Sequence, residues 1–179
     1  QDSEPGPETI DTLVRAYHDL VSKTSEKIGI LSPITVNRAN GAPNPPLAFN
    51  GYRYQIIRYK NSPIRCDFLP AAGMLLHIPS LINIKLPSDD YFLDCYDFAL
   101  GLAVKDSGAQ VYMDPTIELS HQVGSRFKYS KNGKTLSITD MPPFRLKLLH
   151  RNTTYLLTRK AKGLNKFFAA AFQFRKAIL

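Results

Sequence analysis

The order in which helix-like and strand-like segments alternate limits the fold of this chain more than any other feature. Apolar residues recur every three or four positions between Ile10 and Val21, which predicts a helix over 5–27. The apolar run 28–36 that follows predicts a buried strand. Helices and strands continue to alternate, which is the order of an α/β or α+β fold. The other predicted segments are a loop over 38–50, strands over 52–59, 66–69, 73–78, 111–113 and 117–123, a hairpin over 127–138, and helices over 95–106, 142–162 and 164–179.

The composition is that of a folded globular domain. Of 179 residues, 44% are hydrophobic and 21% are charged, which excludes disordered, collagen-like and disulfide-dense proteins. No stretch of about 18 uncharged apolar residues occurs, so no conventional membrane-spanning helix is predicted. Cys66 and Cys95 are too few for a disulfide framework, and we expect buried free thiols in a reducing cytoplasm.

Positive charge is concentrated at the C-terminal end. The net charge is +8, and no Asp or Glu follows Asp140. Such a segment predicts an anionic partner, either nucleic acid or an anionic membrane surface. The helix over 164–179 adds aromatic residues to this charge, which predicts an amphipathic helix lying on a membrane; the alternative is that its phenylalanines pack on the domain core or on a second subunit. The basic residues after Asp140 are Arg145, Lys147, Arg151, Arg159, Lys160, Lys162, Lys166, Arg175 and Lys176.

The segment 89–97 holds four aspartates within nine residues, interspersed with aromatic side chains. Asp94 and Asp97 are three positions apart and therefore share one face of a helix. A carboxylate near another carboxylate has a raised pKa, so the pair suits a general base and its support. The alternative is that both cap the helix N-terminus, where negative charge is stabilised.

Three further positions carry side chains suited to metals or anions. Asp2 lies just before a Pro-rich helix entry and can bind a metal ion, or be a solvated carboxylate. His121 ends a predicted strand, where it can hold a divalent metal or a phosphate, or be structural. The Arg151-Asn152 pair lies in a basic helix, and the Arg fork suits phosphate unless the helix face is simply solvated.

Taken in order, these segments resemble the C-terminal half of the inverting family-two glycosyltransferases, most closely the rhamnosyltransferase-like branch. The similarity begins at the Asp-x-Asp motif, of which Asp2 would be the second Asp, and it extends over 1–162. The similar segments are QDSEPGPETIDTLVRAY, KIGILSPITV, FLPAAGMLLHIPSL, YFLDCYDFALGLAVKDSGAQVYMDP, IELSHQVG and PFRLKLLHRNTTYLLTRK.

The resemblance implies the C-terminal half of a GT-A type nucleotide-sugar transferase fold. This is an α/β fold with a mixed sheet, flanking helices and a C-terminal helical tail. The acceptor-side half would occupy 1–162, and a basic amphipathic C-terminal helix would occupy 163–179. The family's nucleotide-binding half precedes the Asp-x-Asp motif, so we expect this chain by itself to be inactive.

The resemblance also implies roles for individual residues. Asp97 matches the base that deprotonates the acceptor hydroxyl, and Asp94 matches a second acid. Asp2 and His121 match positions at a divalent metal, Mg²⁺ or Mn²⁺, that stabilises the departing diphosphate. We expect Asp2, His121 and Asp97 to share one cleft. The candidate phosphate- or acceptor-binding residues are Arg151, Asn152 and Gly73.

The implied activity is transfer of a sugar, with inversion, from a nucleotide-diphosphate donor to a glycan or lipid-linked acceptor. Rhamnose is one candidate sugar, and the setting would be bacterial surface polysaccharide synthesis. The expected partners are the nucleotide-sugar donor, the acceptor and an anionic membrane surface, without nucleic acid. We expect a cytoplasmic protein, peripheral on the inner face of the bacterial plasma membrane. Uncovered sheet edges would allow a homodimer.

Two alternatives stay open. The basic C-terminal region would also suit a nucleic-acid-binding module, although no recognised nucleic-acid motif is present. A catalytically inactive scaffold is the other alternative, because Ala99 and Ala103 stand where the branch has an acid and an Arg. The segment Ala71-Ala72-Gly73 also lacks the family's usual Ser before Gly.

Overall fold

The computed structural model describes residues 2–122, 126–131, 134–139 and 141–178, without the side chains of 126–139 and 175–178. The strands are β1 (Ser3–Glu4), β2 (Ile28–Asn37), β3 (Leu47–Phe49), β4 (Tyr54–Ile56), β5 (Ile64–Cys66), β6 (Leu75–Leu76), β7 (Gln110–His121), β8 (Arg126–Lys131) and β9 (Lys134–Thr139). The helices are α1 (Thr9–Lys23), α2 (Ile78–Leu81), α3 (Tyr96–Asp106), α4 (Pro143–Lys160) and α5 (Asn165–Ile178).

A mixed sheet of β1, β2, β5, β6 and β7 forms the centre of the molecule. β2 and β7 lie side by side and run parallel. β1 and β5 pair antiparallel with the other edge of β7, and β6 pairs antiparallel with β2. Nearly every residue of β2 is buried, as expected of a parallel strand covered on both faces. The predicted α/β class, with a mixed sheet and flanking helices, is confirmed.

β7 is one continuous strand, and the prediction of two strands separated at Asp114-Pro115 is wrong. Asp114 pairs with Pro33 of β2, and the next paired residues are Glu118 and Ile34. The residues between them form a bulge that accommodates Pro115, which has no N–H to donate to a ladder. The proline therefore interrupts the pairing without ending the strand.

Helices cover both faces of the sheet. α1 packs on one face, where Leu13 contacts Leu31 and Ile117. α3 packs on the opposite face, where Val104 belongs to a cluster with Ile30 of β2 and others of β7. The alternation of neighbouring β2 residues between the two clusters follows from the two-residue repeat of a strand.

A third cluster joins α3 to α4 and α5. Phe68 lies at its centre, and Leu157 and Ala161 of the α4 end and Ala169 of α5 are completely or almost completely buried in it. α3 comes close to the chain at this point, because a Cβ on Gly101 would lie 2.3 Å from the carbonyl oxygen of Asp67. Glycine therefore sets the distance between α3 and the segment after β5.

Several short elements differ from the sequence-based prediction. The strands predicted over 66–69 and 73–78 are wrong in extent, because β5 ends at Cys66 and β6 is limited to Leu75–Leu76. The segment 38–50, predicted as a loop, contains β3, and the strand predicted over 52–59 is limited to β4. The two pair antiparallel, and the Leu47 carbonyl also accepts the N–H groups of Asp67 and Phe68 at 2.8 and 3.1 Å. β3 thus forms by long-range pairing that its loop-like sequence does not show.

The other predictions agree with the structure more closely. α1, α3 and α4 each lie within a predicted helix, and α5 begins one residue later than predicted. β8 and β9 pair antiparallel with Lys131 opposite Lys134, as predicted for a hairpin. Residues 123, 132 and 133 of the predicted strand and turn lie outside the described residues.

Both cysteines are buried and unpaired, as predicted. Burial raises the pKa of the Cys66 thiol, and burial also raises the pKa of Cys95 to about 11. In the described part of the chain, no helix combines the length and apolarity needed to cross a membrane.

Candidate functional site

Asp97 is the second residue of α3 and lies at the positive end of the helix. Its Oδ1 accepts a hydrogen bond from the backbone N–H of Phe98 at 2.9 Å. Its Oδ2 accepts one from the backbone N–H of Ala71 at 3.3 Å. The helix start therefore fixes the carboxylate, and the turn 70–73 lies against it.

The pKa of Asp97 is raised from its ordinary value. Burial is the main cause, and the negative charge of Asp94 adds to it. The N–H groups of Phe98 and Ala71 act in the opposite direction but do not outweigh burial. The side chain remains half-buried, so it is open to a ligand. A carboxylate with a raised pKa and an open side is suited to accept a proton.

Asp94 is held differently from Asp97. Its two carboxylate oxygens accept hydrogen bonds from Nε and Nη2 of Arg145 at 3.3 and 3.2 Å. The Asp94 side chain is only 12% exposed, whereas Arg145 is 47% exposed, so the pair is bidentate but reaches solvent on the arginine side. Asp94 is therefore a fixed charge beside Asp97, since both of its oxygens are already engaged.

The acidic loop 89–95 contains two residues in the left-handed backbone region. Leu93 has φ of 69° and Cys95 has φ of 70°, and neither is glycine. For side chains of this size the conformation costs on the order of 1–3 kcal/mol each. The surrounding contacts must offset that cost, and the main ones come from α4.

Asn152 of α4 is the central contact to the acidic loop. It is 1% exposed, and its Nδ2 donates to the carbonyls of Phe92 and Asp94 at 3.3 and 2.8 Å. Arg151 donates from Nε to Asn152 Oδ1 at 2.9 Å and from Nη2 to the Asp90 carbonyl at 2.5 Å. Asn152 was expected at a phosphate or an acceptor, but its burial and its internal hydrogen bonds make it a support of the loop. Arg151 is exposed, and it keeps a second face toward solvent.

Gly73 connects the surroundings of Asp97 to the sheet. It has φ of +73°, and a Cβ there would lie 2.8 Å from Leu119 Cδ2 and 3.0 Å from Pro33 Cγ. Both features require glycine, because larger residues disfavour the conformation and would clash. The turn 70–73 thus contacts Asp97 through Ala71 and the ends of β2 and β7 through Gly73.

Asp2 directly precedes β1, and its backbone lies beside the end of β7 that holds His121. Ser3 pairs with His121 in the sheet, and the Ser3 Oγ lies 2.9 Å from His121 Nδ1. The Asp2 carbonyl accepts the N–H of Gln122 at 2.6 Å. His121 is the last residue of β7 and pairs with Asn37, the last residue of β2. The carboxyl ends of adjacent parallel strands are where open α/β sheets bind ligands.

The donors present fit part of a divalent metal site. Among the described residues, no group of three or more His, Cys, Asp and Glu side chains is close enough to hold a metal. Mg²⁺ commonly takes one or two carboxylates and completes its shell with substrate phosphates. The Ser3 contact to Nδ1 fixes the His121 ring and leaves Nε2 for a ligand. Asp2 is exposed beside it.

An aromatic cleft of about 510 Å³ lies near the start of α3. Phe98 and Pro70, the chain neighbours of Asp97 and Ala71, line it. The Arg53 guanidinium lies 5.8 Å from the Phe172 ring centre, and its buried Nε finds no hydrogen-bond acceptor among the described residues. The other aromatic walls are Tyr54 and Phe68. We refer to this space as the aromatic cleft.

A second cleft, of about 650 Å³, lies between the segment 83–90, α3 and α4. Ala99 and Ala103 line it, which are the positions where the family resemblance predicted an acid and an Arg. Their small side chains leave this space without the polar groups that the family has at these positions. Arg159 and Lys160 of α4 supply positive charge along the same cleft.

The sequence analysis identified the acidic segment, but it missed the aromatic cleft and the pairing of Arg145 with Asp94. Five different segments contribute to the cleft, so no local spacing in the sequence marks it. Arg145 was noted only as one of the basic residues after Asp140, and its pairing spans 51 positions along the chain. The chain matches no protein-family model, and a comparison with curated proteins likewise finds no match.

Proposed function

We propose that this chain is the acceptor-side half of an inverting glycosyltransferase of GT-A type, similar to the rhamnosyltransferase branch. The enzyme would move a sugar from a nucleotide-diphosphate donor to a glycan or lipid-linked acceptor. The observation that carries the proposal is Asp97, which has a raised pKa and is fixed at a helix N-terminus, and whose chain neighbour Phe98 lines an open aromatic cleft.

The arrangement of the sheet supports this proposal. β2 and β7 form a parallel pair inside a mixed sheet, and helices cover both faces. His121 and Asp2 lie at the carboxyl end of that pair, and Gly73 links this end to the turn beside Asp97. A donor phosphate at the strand ends and an acceptor in the aromatic cleft would therefore both lie near the turn 70–73.

Inverting transfer is a single displacement at the anomeric carbon. The acceptor hydroxyl oxygen bonds to that carbon as the bond to the diphosphate oxygen breaks. Asp97 takes the hydroxyl proton, and Asp94 helps by keeping the pKa of Asp97 raised. Arg145 holds Asp94 in place. Apolar walls and few polar groups are typical of a cleft that orients a ligand, and the aromatic cleft has both.

Asp2 and His121 would hold the divalent metal, Mg²⁺ or Mn²⁺. When bound, the metal would supply positive charge to the departing diphosphate. The protein's own part is to fix the imidazole through Ser3 and to hold the backbone of Asp2 beside the end of β7.

The deciding experiment is turnover by the complete protein that carries this chain, with a panel of nucleotide sugars. Asp97→Asn should reduce kcat by about 10²–10⁴-fold, because a general base contributes that much, and should leave the fold intact. Asp89→Asn is the matched control, since Asp89 is an exposed acid of the same segment. Near-normal turnover by the Asp97→Asn variant would sink the assignment. No turnover by the wild type with any donor would favour an inactive scaffold.

A further inference from the structure

The side of α5 that faces away from the molecule is apolar. The inner side packs on the core, where Ala169 is fully buried and Gln173 is 4% exposed. On the outer side Leu164 is 81%, Phe167 71% and Phe174 68% exposed. Leu164 directly precedes α5, and it and the other two are spaced with the exposed Ala171 at three, four and three positions, which places them along one side of the helix and its start. We call these four residues the outer stripe.

The outer stripe is larger than the scattered apolar exposure that every protein surface has. Phe168 is 51% exposed and widens the stripe, because its ring centre lies 6.0 Å from that of Phe167. Single exposed apolar residues need no explanation, whereas a continuous exposed stripe marks an interaction surface. α5 is thus apolar on two sides, and only the inner side is covered.

The charge around the outer stripe selects the partner. Lys162 and Lys166 are exposed at its N-terminal end. No Asp or Glu follows Asp140 in the sequence, so α5 carries no acid of its own. A second copy of this helix would place lysines near lysines, which disfavours association. An anionic lipid surface suits both features of α5, because it accepts the apolar side chains of the outer stripe and attracts the lysines.

We propose that α5 lies in the plane of an anionic membrane surface. The outer stripe enters the boundary between headgroups and acyl chains, and Lys162 and Lys166 contact anionic headgroups. This proposal does not depend on the proposed transferase activity. Phe172 of the same helix lines the aromatic cleft, so docking would hold that cleft within about one helix diameter, roughly 10 Å, of the bilayer.

Vesicle co-sedimentation of the full chain tests this proposal. The vesicles contain phosphatidylserine and phosphatidylcholine, or phosphatidylcholine alone. We expect binding to the anionic vesicles, weakened by salt, and little binding to the neutral ones. The double variant Phe167→Ser/Phe174→Ser should lower the partition coefficient by about tenfold or more. Lys162→Gln/Lys166→Gln should lower it by about tenfold on anionic vesicles only.

A matched control removes apolar surface elsewhere. Ile10 of α1 is 69% exposed, so Ile10→Ser changes a comparably exposed residue far along the chain and should leave vesicle binding unchanged. Circular dichroism checks that each variant is folded, as expected for exposed positions. Absence of vesicle binding by the wild type overturns the proposal, as does unchanged binding by the phenylalanine variant. If the wild type does not bind vesicles but forms a dimer that the phenylalanine variant dissociates, the partner is a second copy of the chain. If it binds oligonucleotides and not vesicles, the partner is nucleic acid.

Discussion

Asp97 receives two backbone hydrogen bonds at a helix N-terminus, and its pKa is nevertheless raised. Burial disfavours the charged form more than the N–H groups favour it. The neighbouring carboxylate of Asp94 adds to the effect, because Arg145 holds it in place. The two acids of one segment thus have different tasks, one open to a ligand and one fixed by a cation.

If the protein is the proposed transferase, the pH dependence of its turnover should report this arrangement. Asp97 must be ionised to act as a base, so kcat/KM should fall on the acid side at a pH above the ordinary value of 3.8. Asp94→Asn removes a negative neighbour of Asp97, so the fall of kcat/KM on the acid side (the acid limb of the profile) should move to lower pH. The measurement is kcat/KM against pH, and Asp89→Asn should leave the limb in place. An acid limb that Asp94→Asn does not move would contradict this role of Asp94.

The same pKa direction predicts an effect on stability. A carboxyl whose folded pKa is raised contributes stability that is present below its unfolded value and is lost as pH rises through the folded value. The ionised Asp97 therefore opposes folding at neutral pH, and Asp97→Asn should unfold at an equal or higher urea concentration there. A lower midpoint at neutral pH would show that the carboxylate stabilises the fold instead.

At the scale of elements, α4 holds the acidic loop in an unfavourable conformation. The left-handed residues Leu93 and Cys95 flank Asp94, and Asn152 donates to carbonyls on both sides of Leu93. The strain is located next to the proposed base. The contacts that offset it come from a helix that begins almost 50 residues later in the sequence.

Asn152→Ala should therefore destabilise the fold. It leaves the partly buried carbonyls of Phe92 and Asp94 without their donor from the buried Asn152 side chain, and an unsatisfied buried polar group costs about 1–3 kcal/mol. We expect the free energy of unfolding to fall by about 2–3 kcal/mol, measured by urea denaturation. Asn83→Ala, at an exposed asparagine, should change it little. If both variants unfold at the same urea concentration, α4 does not hold the loop.

At the scale of the whole molecule, the proposed site has two ends joined by one turn. Ala71 contacts Asp97, and Gly73 contacts Leu119, two residues before His121. A cleft shared by Asp2, His121 and Asp97 stays a prediction. The connection described here between Asp97 and the strand ends that hold the other two is the turn 70–73. Substitutions at the two ends should therefore affect different kinetic properties, metal dependence at His121 and kcat at Asp97.

Metal dependence of the complete enzyme should separate those ends. His121→Ala should raise the Mg²⁺ or Mn²⁺ concentration needed for half-maximal turnover by about 10–100-fold, since loss of a metal-site residue weakens metal binding. Asp97→Asn should lower kcat without that change. His18→Ala, at an exposed histidine of α1, serves as the control. Equal metal dependence of the wild type and His121→Ala would remove His121 from the metal site.

Local sequence patterns determined most of the elements. The three- and four-residue repeat of apolar side chains specified α1, and the apolar run specified β2, because each pattern matches the geometry of one element. The acidic segment 89–97 was found in the same way, as was the hairpin of β8 and β9. These features depend on neighbours within a few positions of the chain, and such neighbours can be read directly from the sequence.

Only the tertiary structure decided the features that depend on distant partners. The bulge that carries β7 past Pro115 forms because β2 lies beside it, and β3 forms because β4 and Phe68 supply its pairing. Asn152 resembles a ligand contact in sequence, but folding places it on carbonyls about 60 positions away. The sequence states which groups are available, whereas burial and hydrogen bonding between distant segments determine whether a group faces a ligand or the protein itself.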